Sequence, residues 1–120
     1  MEFVINEKKY DLKFGIKFIR ELDKEYEVDY QGMKFGMGVN MAFMNLQQFN
    51  PVVIHSVMKA ATSYLATPPT NQQIEIAIEN YAQENDGLHD LFLSLKDELG
   101  KSPVMKDTIK HFQKTAKVNK

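Results

Sequence analysis

Apolar and polar positions alternate at the start of the chain. Phe3 and Ile5, then Tyr10, Leu12 and Phe14, flank the polar stretch 6–9. A repeat of two turns one face of a strand inward, so residues 1–14 are expected to form a β-hairpin. An isolated hairpin is marginal in water, so it must lie against helices or pair with another strand. From Gly15 the repeat lengthens. Phe18, Ile19, Leu22 and Tyr26 form one helical stripe, with Lys17, Arg20, Glu21 and Lys24 on the other side. Residues 28–32 break that pattern and read as an extended stretch or a third short strand. Gly32, Gly36 and Gly38 make residues 32–38 a poor helix, because each glycine costs about 1 kcal/mol there relative to Ala.

Helical spacing resumes over residues 39–49, with two apolar sides. Met37, Met41 and Met44 share one stripe; Val39, Phe43 and Leu46 share a second. A helix apolar on two sides is not satisfied by packing on one core. Asn50-Pro51 has the cap-then-proline form of a helix start, and Ile54, Val57, Met58, Ala61 and Leu65 carry the stripe up to Thr67-Pro68-Pro69. Thr70 and Gln73 have capping-box spacing before Ile74, Ala77, Ile78 and Tyr81. After the turn residues 85–87, Leu88, Leu91, Phe92, Leu95 and Leu99 make the cleanest amphipathic helix, with Gly100 expected to close it. Ser102-Pro103 repeats the cap signal ahead of Met105, Ile109, Phe112 and Ala116. The expected fold is mainly α (α+β), an N-terminal β-hairpin followed by about five amphipathic helices. It is a single domain over 1–120: hairpin 1–14, helical core 15–100, basic C-terminal helix and tail 101–120.

Charge sharpens this outline. Residues 31–70 contain no Asp or Glu and hold five of the chain's seven methionines. Such a segment must be buried in the fold, in a partner, or in both. Residues 71–100 carry seven acidic side chains and one basic, whereas residues 101–120 carry six basic and one acidic. That division means either mutual neutralisation within the fold or two interaction faces. The chain has no Cys, which excludes disulfides, thiolate metal sites and cysteine nucleophiles and fits a reducing cytosol. The N-terminus lacks the basic-then-apolar form of a signal peptide, and no uncharged apolar run is long enough to span a bilayer. A soluble cytoplasmic protein is expected.

Catalytic chemistry finds little support. His55, His89 and His111 fall on different helices, so no pair has the i, i+4 spacing that sets two imidazoles on one metal. Gly36-Met37-Gly38 lacks the third glycine of a phosphate-binding loop. Glu75 with Glu79, and Asp86 with Asp90, read as an acidic outer face. No enzyme, cofactor or metal site is expected. Methionine is flexible and polarisable and suits surfaces that accommodate varied partners. The apolar excess therefore nominates Met33, Phe35, Met37, Met41, Phe43 and Met44 as a surface for a client or for a second copy of the chain. Lys106, Lys110, Lys114 and Lys117 line the solvent side of the last helix. They are solvated, answer the acidic segment, or make an electrostatic contact. Nucleic acid is disfavoured as the partner, since the chain is slightly acidic and has one arginine, Arg20.

Residues 10–24, YDLKFGIKFIRELDK, and 33–39, MKFGMGV, resemble the tail assembly chaperones encoded by long-tailed phages and prophages of Gram-positive bacteria. The likeness extends over nearly the whole chain, through the Asn50-Pro51 helix start to residues 99–103, LGKSP, and the lysine-rich helix. It is a match of pattern and order, without a catalytic signature. The resemblance implies a non-enzymatic role: binding the long, helical, aggregation-prone tape measure protein, keeping it soluble, and helping to bring tail tube subunits to it. It implies departure before the virion is finished, and in many relatives a frameshifted extension, for which the basic end 114–120 would be the join. It carries over no cofactor and no fixed binding residue. The rivals are a small helical DNA-binding regulator and a structural or adaptor subunit retained in the tail.

Overall fold

The computed structural model describes residues 1–118, except the side chains of Tyr30, Lys34, Phe35 and residues 115–118. Strand β1 (Glu2–Ile5) pairs antiparallel with β2 (Lys8–Asp11), setting Phe3 opposite Tyr10. Two residues, Asn6 (φ 53°) and Glu7 (φ 65°), make the turn. This left-handed pair matches the twist of the flanking strands. Phe3 and Ile5 point inward, and the Phe3 ring lies 5.8 Å from that of Tyr81 on α4 (Asn71–Glu84), so helices cover the hairpin as required.

A second hairpin forms where only an extended stretch or a third strand was expected. Strand β3 (Glu27–Tyr30) pairs with β4 (Met33–Gly36) in a separate two-stranded sheet, closed by Gln31 (φ 53°) and Gly32 (φ 80°). It is inserted between α1 (Ile16–Glu25) and α2 (Gly38–Gln47). Helix α3 (Pro51–Ala61) starts as its sequence implies. The Asn50 carboxamide oxygen accepts from the Val52 N–H at 3.1 Å, with Pro51 in the first turn. At α4, Thr70 and Gln73 exchange both capping-box bonds, at 3.0 and 3.1 Å.

Helix α5 (His89–Lys101) runs through Gly100 instead of stopping before it, and Gly100 has no left-handed φ. The end is set one step later by Ser102. Its hydroxyl donates to the Phe14 carbonyl at 2.8 Å, joining α5 to the entry of α1, so it does not serve as a side-chain cap. A turn over residues 103–105 precedes α6 (Lys106–Val118), with the Lys106 N–H bonded to the Ser102 carbonyl at 2.9 Å. Six helices form among the described residues, against the expected five or so.

Helix α2 is the central element. It packs against α1 and α3 on one side and against α5 and α6 on the other. Ala42, Phe43 and Leu46 are buried there, together with Phe18 and Leu22 of α1, Ile54, Val57 and Met58 of α3, and Leu91, Leu95 and Leu99 of α5. Full burial of such side chains contributes about 1.5–3 kcal/mol each. The expectation that α2 carried more apolar surface than one core could cover is thus only half met. The chain supplies a second layer, α5 and α6, for much of the excess.

Candidate docking surface

The β3–β4 register sorts the second hairpin into two faces. Side chains of paired residues share a face and alternate along each strand. Val28, Tyr30, Met33 and Phe35 occupy the positions of one face; Glu27, Asp29, Lys34 and Gly36 occupy those of the other. The Gly36 position presses on α1: a Cβ there would collide with the Asp23 side chain. The opposite face looks outward, with Val28 48% and Met33 62% exposed. Glu27 and Asp29 on the other face are exposed as well, so the arm is not buried through its polar side, and it leaves the apolar Val28 and Met33 bare to solvent.

Local hydrogen bonds hold this arm to the helices. The Met37 N–H donates to the Tyr26 carbonyl at 3.0 Å. The Gly38 N–H, the first of α2, donates to the Asp23 carboxylate at 2.9 Å. Asp23 therefore caps α2 from a neighbouring helix, since Met37 at the cap position provides no side-chain bond. The approach is close: a Cβ on Gly38 would lie 2.5 Å from the Leu22 carbonyl carbon and 2.6 Å from the Asp23 nitrogen. The glycines of the 33–39 segment are thus explained by helix contact. On the outer side of α1, Glu21 accepts from Lys17 at 3.0 Å and Lys24 at 3.1 Å, and these two ammonium groups hold its carboxyl below the ordinary value.

The nominated apolar residues divide. Met33 and Met37 are exposed, Met41 and Met44 are half-buried, and the Phe35 side chain lies outside the described residues. Phe43 is corrected to the core. It is 4% exposed and meets the Phe112 ring edge-on at 6.4 Å, because α6 packs over that side of α2. Val28 belongs to the surface and was not anticipated. The signal was present, as Val28 and Tyr30 alternate before the turn at Gln31-Gly32 and Met33 and Phe35 alternate after it.

The lysine stripe follows its expected side. Lys106, Lys110 and Lys114 are exposed, and none pairs with a carboxylate among the described residues; the Lys117 side chain lies outside them. Within α5, Lys101 is bound to Glu98 at 3.2 Å and Asp97 at 3.7 Å, which raises its pKa above the ordinary lysine value. Among the described residues, no three His, Asp or Glu side chains gather into a metal-binding group, and no helix is long and apolar enough to cross a membrane.

No curated protein and no solved structure matched the chain. One protein-family model matches residues 2–114, which takes in both hairpins, the central helix, α3 to α5 and most of α6; its description is phage tail assembly chaperone protein. By that match the chain belongs to the phage tail assembly chaperone family, whose role is in assembly and not in catalysis.

Proposed function

We propose that this tail assembly chaperone acts in the host cytoplasm by holding the tape measure protein on the outer face of β3–β4, extended by Met37, Met41 and Met44. It keeps that client soluble while tail tube subunits are brought to it. The observation that carries the reading is the exposed apolar pair on one face of this hairpin, Val28 and Met33. A repetitive apolar helix needs a receptor that adapts to each successive stretch, and methionine's three rotatable bonds suit that task. Val28 and Met33 are each about half exposed, so covering them adds about 1 kcal/mol apiece. Such modest terms suit a chaperone that must leave its client.

The test is co-expression with the tape measure protein, using Met33→Ser together with Met37→Ser. Both side chains are exposed, so helical circular dichroism should match the parent while co-purification falls sharply. Undiminished co-purification would remove this surface from consideration. The same exposed face gives a second copy a place to pack when the client is absent. Light scattering should then show a mass above the monomer's at high concentration, reverting to monomer in the double variant.

A further inference from the structure

We infer a second docking surface, a cationic groove between α5 and α6 that takes an acidic amphipathic helix of another protein. The groove is open, about 600 Å³, with Phe43, Leu93 and Ile109 at its apolar floor. Lys96, Lys106 and Lys110 stand along it without an ion pair among the described residues, and Asp97 is the one carboxylate in its lining. An apolar floor between cations matches a helix with an apolar stripe flanked by Asp or Glu. Leu93 is left 42% exposed in the monomer.

Gly100, in the same lining, points independently to a close-fitting occupant. A glycine in a helix is disfavoured relative to alanine. Gly100 has no left-handed φ to require it, and a Cβ there would meet nothing within 4 Å. Inside the monomer alanine would serve better. A partner helix lying against the α5 backbone gives the missing side chain a purpose.

The occupant is another protein rather than a second copy or nucleic acid. Where an exposed apolar side chain of α4, Ile76, sits among carboxylates, those of Glu2, Glu7 and Glu84, the surface is itself a cleft, and one concave surface does not enter another. Nucleic-acid grooves favour arginine and stacking aromatics, whereas this one offers lysines around a floor whose aromatic ring, Phe43, is too buried to stack on a base. The inference does not depend on the hairpin as the client surface.

The test uses the full chain and a labelled synthetic peptide of about five helical turns, with leucines on one stripe and glutamates elsewhere. Fluorescence anisotropy should show saturable binding that weakens at high salt and is absent for the matching lysine peptide. Lys106→Gln with Lys110→Gln should weaken binding about three- to tenfold. Gly100→Ala should raise the melting temperature yet weaken binding about tenfold or more, a combination that a purely structural role does not produce. Met33→Ser with Met37→Ser should leave peptide binding unchanged. The inference is overturned if the glutamate peptide does not saturate, if both groove variants bind it like the parent, if a short DNA duplex binds more tightly, or if the groove lysines instead control self-association.

Discussion

Gly38→Ala tests the packing that positions the β3–β4 arm. The new methyl would lie 2.5 Å from the Leu22 carbonyl carbon, 2.6 Å from the Asp23 nitrogen and 2.6 Å from the Leu22 Cβ. Two of those three atoms are α1 backbone, so no rotamer change relieves the contact and the helices must separate. Overpacking of this kind costs about 1–3 kcal/mol. Separation also stretches the bond from the Gly38 N–H to the Asp23 carboxylate, and a hydrogen bond to a charged group contributes about 1.5–3 kcal/mol. Alanine's better helix propensity returns up to about 1 kcal/mol. The net loss is about 2–4 kcal/mol, or roughly 8–16 °C in melting temperature for a domain of this size. Urea unfolding followed by circular dichroism reads it directly, with Gly100→Ala as the control of opposite sign, since open space there predicts a gain of up to about 1 kcal/mol. If Gly38→Ala unfolds within about 0.5 kcal/mol of the parent, the close contact of α1 with α2 is not what holds the arm.

Three further outcomes are expected. Glu7 holds a left-handed φ of 65° in the first hairpin turn, so Glu7→Gly should stabilise the chain by about 1 kcal/mol; an unchanged urea midpoint would refute the strain. Ser102→Ala removes the bond to the Phe14 carbonyl and leaves that acceptor without its partner, a loss of about 1–2 kcal/mol in the same assay. The Glu21 carboxyl is held below the ordinary 4.5 by Lys17 and Lys24, so its contribution is present at neutral pH and is lost as pH falls through the lowered pKa. The parent should therefore exceed Glu21→Gln by about 0.5 kcal/mol at neutral pH and low salt, with the two converging in acid; a constant gap at every pH would exclude the ion pairs as its source.

The sequence by itself determined the elements whose signals act over a few residues. The period of two in β1 and β2, the stripes of α3 to α5 that repeat every three or four residues, and the caps at Asn50 and Thr70 that bond two or three positions on could be read along the chain. The tertiary structure decided which apolar residues stay exposed. Met37 and Phe43 look alike in a pattern of stripes, yet one lies at the surface and the other under α6, which arrives from more than sixty residues away in sequence. Gly38 likewise resembles a loop glycine until α1 is placed against it, and Ser102 resembles a cap until the Phe14 carbonyl claims its hydroxyl. Periodicity states that a side must be covered but not by what. The cover comes from helices distant in sequence, and what they leave bare on β3–β4 and between α5 and α6 is the surface proposed for partners.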